Sequence, residues 1–166
     1  MAKSPKIAIV DPEQFYKDFP KLTKSNHRPA SPATDRYNCI AYVVGDTNNW
    51  ISPKDYSDAK QGARPVIWPL PYDPNPVRRV SLGEVLKALA IYRFSKCESG
   101  DIENGVQKIA LFVDGEEVTH AALQLRDRNG RWKSKMGDNV DIEHELLAVE
   151  GPLYGVFSMF LSRPLR

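Results

Sequence analysis

Apolar positions are unevenly spaced along this chain. The first 35 residues carry scattered apolar positions and frequent breaks. Asp11-Pro12-Glu13-Gln14 has the form of a helix start, with an aspartate to cap, proline at the first helical position and an acid near the positive helix end. Residues 21–35 are polar and interrupted by Pro29 and Pro32, which reads as irregular chain. Cys39 to Val44 is then a continuous apolar run closed by Gly45. It predicts a helix from about Asn38 to Val44 or Asn49, capped by Asp35 or Asn38. The β-branched Ile40, Val43 and Val44 make a strand the competing reading.

Between residues 51 and 80 stand Pro53, Pro65, Pro69, Pro71, Pro74 and Pro76. That density precludes regular helix and central strand over most of the segment, which reads as a long loop. Trp50, Trp68 and Tyr72 lie in or beside it, placed to pin the loop or to line a groove. Ser81-Leu82-Gly83-Glu84 fits a capping box, and Val85, Leu86, Leu89 and Tyr92 follow at helical spacing, predicting a helix over about 82–93.

The last 60 residues alternate instead. Strands are expected at Lys108 to Val113, Val118 to Leu125, Arg131 to Met136 and Tyr154 to Ser162. Asp114-Gly115 and residues 126–130 are the turns, and Gly137 to Glu150 reads as a loop with one helical turn. Helices first and an antiparallel sheet of four to five strands after them give an α+β class. The 166 residues suit one domain, with an irregular segment over 1–35 and a core over 36–163.

Composition narrows the function classes. A formal charge of +2 and the lack of any Lys/Arg run of five or more argue against nucleic acid. No apolar stretch is long enough for a transmembrane helix, and Ile7 to Val10 is too short for a signal peptide core. The expectation is a cytoplasmic protein, with export by a route that needs no cleaved signal left open. Two cysteines, Cys39 and Cys97, are expected as free thiols, and three histidines lack zinc-ligand spacing, so neither metal nor cofactor is expected.

Cys39 and His120 are the pair on which chemistry would rest. A thiol at a helix N-terminus meets a partial positive charge and unpaired N–H groups, which favour thiolate and an oxyanion. On a strand, Val118, His120, Ala122 and Gln124 share the less apolar face, and the small alanines leave room for a helix to approach. Ser134 could sit beside His120 across a hairpin; Asp141 and His144 are competing orienters. Asn38 and Gln124 are candidate oxyanion or substrate donors, and Trp50, Trp68 and Tyr72 candidate substrate walls. Against this, an apolar-flanked cysteine is ordinarily a packed small hydrophobe. Cys97 in Phe94-Ser-Lys-Cys reads as structural or exposed, and His27 as a surface residue.

The order of a helix-borne Cys, a strand-borne His and a polar residue on the next strand resembles the papain-like superfamily, especially the NlpC and CHAP types of cell-wall hydrolase. The residues in those places are Asn38-Cys39-Ile40-Ala41, Thr119-His120-Ala121-Ala122 and the strand with Ser134. That resemblance implies a papain-like fold, Cys39 as nucleophile and His120 as base. It implies a peptide or peptidoglycan-like substrate, or a protein one. Serine is a departure at the third place, so the orienter stays open. The chain also resembles a group of uncharacterised bacterial domains over about residues 36–163. The shared features are Asn38-Cys39-Ile40-Ala41, Trp50, Trp68-Pro69, His120-Ala-Ala, Trp132-Lys-Ser-Lys-Met-Gly137, Asp141-Ile-Glu-His144 and Tyr154-Gly155. The other expectation is a non-catalytic binding domain whose aromatic, proline-rich loop meets a protein partner.

Overall fold

Asn38 begins the segment that positions the site. In the computed structural model, which describes residues 7–53, 65–71, 80–128 and 130–165, its side chain accepts from the Ala41 amide and caps a helix over Cys39–Val44. Gly45 ends that helix at φ 89°, a left-handed conformation that glycine adopts without penalty. The helix reading over 39–44 therefore holds, and Asn38 rather than Asp35 is the cap. We label it α2. It is preceded by α1, Pro12–Asp18, where the Asp11 side chain accepts from the Gln14 amide. It is followed by α3, Leu82–Ile91, capped by Ser81 as the sequence predicts.

Seven strands form one antiparallel sheet: β1 His27–Ser31, β4 Ser95–Cys97, β5 Val106–Asp114, β6 Glu117–Gln124, β7 Arg131–Lys135, β8 Asp141–Glu145 and β9 Val156–Pro164. Their order is β1-β8-β7-β6-β5-β9-β4. A separate parallel pair joins β2, Trp50–Ile51, to β3, Val66–Ile67. The sheet is thus larger than the expected four to five strands. Two strands lie where irregular chain is expected. β1 falls in the proline-broken segment 21–35 because it is an edge strand, where Pro29 costs no central ladder bond. β8 replaces the expected loop over 137–150, and only Leu146–Val149 after it is helical. Its sequence Asp-Ile-Glu-His-Glu buries Asp141, Ile142 and His144. Apolar patterning therefore misses a strand whose inward positions are mostly polar.

Two apolar layers cover the sheet. On one face α2 and α3 pack Ile40, Val43, Val85 and Leu89 against Ile109, Leu111, Ala121 and Leu161. On the other, Phe15 of α1 and Phe19 just after it meet Phe112, Ala122, Trp132 and Ile142. Burying one such side chain stabilises the fold by about 1.5–3 kcal/mol. No helix among the described residues is long and apolar enough to cross a membrane.

Candidate active site

Two irregularities in the sheet set up the site. In the β5–β6 pair Phe112 faces His120 while Val113 faces Val118, so Thr119 is an extra residue in β6. This bulge turns Val118 to the α2 face, among Ile40, Val85 and Ala121, while His120 stays on the α1 face beside Phe112. The expected sharing of one face by Val118 and His120 is thereby corrected. The second irregularity is a parting: β6 and β7 pair only at Leu123–Lys133 and Gln124–Trp132. Beyond those pairs, toward Thr119 and Gly137, the ladder stops. The N-terminus of α2 lies over this opening, and the Ala121 amide faces the Cys39 sulfur. Cys39, on the helix over one face, and His120, whose side chain is turned to the other face of β6, nevertheless line one cleft of about 210 Å³.

The cleft wall comes from the ends of the proline-rich segment. Trp50, Ile51, Pro53 and Trp68 line it. They are held by the β2–β3 pair and by Asn38, whose Nδ2 donates to the Ile51 carbonyl at 2.7 Å while its Oδ1 accepts from the Ile51 amide at 3.1 Å. Asn38 thus lines the cleft and also holds its wall. Gln124 does not line the cleft; it donates to the Gly100 carbonyl. Tyr72 lies outside the described residues.

Behind His120 runs a buried polar chain. His120 Nε2 and Ser134 Oγ are 2.7 Å apart, as are Ser134 Oγ and His144 Nε2. His144 Nδ1 is 2.6 Å from the Glu145 carbonyl oxygen. That carbonyl only accepts, so Nδ1 carries the proton. Burial holds His144 down, to about 4, so it is neutral and its Nε2 is an acceptor. The single Ser134 proton then goes to His144, and Ser134 must accept from His120 Nε2–H. Burial, and secondarily His144, hold His120 well below the ordinary imidazole value, so it too is neutral. Its proton being on Nε2, its Nδ1 is a bare lone pair. Nδ1 is buried and has no hydrogen-bond partner, so the thiol is not hydrogen-bonded to it here.

Of the three candidate orienters, Ser134 touches His120 and His144 acts through Ser134. Asp141 does not join this chain: it lies 3.7 Å from Lys133, with its other oxygen unpartnered. Cys39 as a residue is half-buried. Its apolar surroundings push its pKa up, outweighing the amides of Ala121, Ile40 and Cys39 and the charge of Lys135. A standing thiolate, as expected from the helix end, is therefore not favoured. Cys97 is a second free thiol, with Ser99 O at 3.7 Å.

Two positioning residues carried no chemical signal in the sequence. Lys135 is fully buried, and its Nζ donates to the carbonyls of Thr34 at 2.7 Å and Asn139 at 2.8 Å and to that of Gly137. It ties the approach to α2 to the turn after β7. Burial draws its pKa down to about 8. Tyr154 stacks on His120 with ring centroids 4.0 Å apart and planes 5° apart, and touches Phe19 at the end of α1. Thr119 Oγ1 donates to the Tyr154 carbonyl. Gly155 follows at φ 68°, where a Cβ would meet the Val113 carbonyl oxygen at 2.1 Å. Gly155→Ala is therefore expected to cost about 2–3 kcal/mol and to displace Tyr154 from His120. A lowered urea midpoint with shifted His120 ring-proton resonances would bear this out; unchanged resonances would refute it.

No group of three or more His, Cys, Asp or Glu among the described residues could hold a metal ion. A family model described as a domain of unknown function, DUF7689, matches residues 28–162. No curated protein and no solved structure matches the chain.

Proposed function

The chain belongs to the DUF7689 family, and we propose that it is a thiol hydrolase of amide or peptide bonds, with Cys39 as nucleophile and His120 as general base. The observation that carries this reading is that Cys39 and His120 line one cleft while His120 Nδ1 is buried without a hydrogen-bond partner. A neutral imidazole with a free Nδ1 lone pair, held at Nε2 by Ser134 and, behind it, His144, is the form a general base needs. The order of Cys helix, His strand and polar third residue, as in the papain-like NlpC and CHAP hydrolases, supports it further. Peptidoglycan stem peptides or protein chains are the corresponding substrates.

The steps balance as follows in this reading. The Cys39 proton passes to His120 Nδ1 as the sulfur bonds to the substrate carbonyl carbon, and the Cys39 amide receives the developing oxyanion. Collapse breaks the C–N bond, and the leaving amine takes the proton from His120. Water, deprotonated by His120, then cleaves the thioester and regenerates the thiol. Because the resting thiol and imidazole are both neutral, proton transfer accompanies attack.

A thiol-directed peptidyl electrophile, applied to folded protein with Cys97 replaced by Ser, tests the reading. Cys39 should label at pH 7. The rate should persist well below pH 6.5, because His120 keeps its base form as pH falls until its own depressed pKa is reached. A Cys39 that labels only after denaturation would overturn the proposal. A non-catalytic binding domain is the second reading. It draws on the raised thiol pKa and the Trp50–Trp68 wall.

A further inference from the structure

A base that takes a proton at His120 Nδ1 becomes a cation, with a proton on each ring nitrogen, in a fully buried place. In a Ser-His-Asp arrangement a buried carboxylate meets that charge. Here the two ring nitrogens leave no room for one. Nε2 donates to Ser134, a neutral hydroxyl, and Nδ1 has no hydrogen-bond partner. The chain behind Ser134 ends on neutral His144 and the Glu145 carbonyl oxygen. Asp141 lies against Lys133 instead. Burial and His144 both act against a charge on His120. An unmet buried charge is costly, so another group has to offset it.

Among the described residues the ring contacts of His120 are Phe112 and Tyr154. Phe112 is tilted by 47°, with its centroid 5.7 Å away. Tyr154 lies almost parallel, with 5° between the planes and 4.0 Å between the centroids. Neutral aromatic pairs settle at about 4.5–7 Å, offset or edge to face. A cation within about 6 Å of a ring face is drawn to its negative π surface, more strongly where water is excluded. Tyr154 meets both conditions, because its ring covers the His120 face and is itself buried. Its placement has causes apart from His120. Thr119 donates to its carbonyl, and Phe19 touches its ring with centroids 4.9 Å apart. Burial first, then Cys39, Asp18 and Asp138, hold its phenol pKa well above the ordinary value, so the ring stays neutral.

We propose that Tyr154 is the positioning residue that stabilises the His120 imidazolium, its π face standing where other triads have a carboxylate. The inference rests on the thiol-hydrolase reading. In it the Cys39 proton moves to Nδ1 as sulfur bonds to carbon, and the stacked ring offsets the charge until the proton passes to the leaving amine.

Iodoacetamide, a small neutral alkylator that needs no substrate subsite, tests this on folded protein with Cys97 replaced by Ser. The Cys39 sulfur displaces iodide as His120 takes the thiol proton. Tyr154→Phe should label within about twofold of the parent, and Tyr154→Leu about tenfold more slowly. Placing trifluorophenylalanine and then pentafluorophenylalanine at position 154 keeps the ring shape while draining its face. The rate should fall in that order, to about a tenth of the Tyr154→Phe value. In a His120→Gln background the same ring series should be flat, since no imidazolium forms there. Urea midpoints establish folding, and the fluorinated series stands alone where Tyr154→Leu does not fold. A series that is flat with His120 present, or equally steep with His120 replaced, would overturn the Tyr154 assignment and leave the thiol reading intact. A folded parent in which Cys39 stays unlabelled, although the denatured chain labels, would overturn both.

Discussion

Replacing His120 with Gln should slow the reaction of Cys39 with a peptidyl electrophile at pH 7 by about a hundred- to ten-thousandfold, the span of general-base catalysis. The reason lies in the thiol. Burial raises its pKa, so without a base in the cleft the reactive thiolate is scarce at neutral pH. The pH profile should change shape as well as height. In the parent protein the rate should be flat through pH 6–8. In the variant it should climb with hydroxide toward the raised thiol pKa. Ser134→Ala should give a smaller loss, because it removes the acceptor that fixes the Nε2–H tautomer but leaves the imidazole in place. If His120→Gln leaves both rate and profile unchanged, His120 is not the base.

Acidification should weaken the fold before any carboxylate matters. His120 and His144 are both held below the ordinary value of 6.5, so the unfolded chain takes up protons that the folded chain refuses. Their contribution to stability is complete above about pH 6.5 and declines as pH falls toward their folded values. For His144, whose folded value is about 4, the loss is about 3 kcal/mol at 1.36 kcal/mol per unit; His120 adds to it. The depressed carboxyls of Glu143 and Glu150 act in a lower window, below the ordinary glutamate range. Urea midpoints measured between pH 7 and 4.5 therefore isolate the histidines. A stability that stays level across that interval would contradict neutral burial of the pair.

The sequence disclosed the parts of this site that have local causes. Asn38 as cap, Gly45 as stop and the helix between them follow from side-chain chemistry within a few residues. Ser134 beside His120 follows from hairpin register, and the hydrogen bond between them is present. What escaped the pattern depends on partners far along the chain. β1 forms against β8 although its own residues look irregular. The bulge at Thr119 and the parting of β6 from β7 have no composition signature, yet they decide which face His120 takes and how Cys39 reaches it. Lys135 alternates with Ser134 along β7, and nothing in its local sequence marks it as buried. It is buried because three carbonyls from two separate segments converge on it. The match to a domain of unknown function over 28–162 agrees with the resemblance to an uncharacterised family. The hydrolase likeness remains a proposal resting on geometry.

The sheet order also governs when the site can come into being. β1, near the amino end, hydrogen-bonds only to β8, and β9, the last strand, is inserted between β4 and β5. Neither half of the chain can complete a sheet alone. Cys39 leaves the ribosome more than a hundred residues before Tyr154 and β9, and such long-range pairings form late and slowly. Nascent chains will therefore carry an exposed thiol and unpaired strand edges until β9 has emerged, and removal of β9 will cut β4 off from the rest of the sheet.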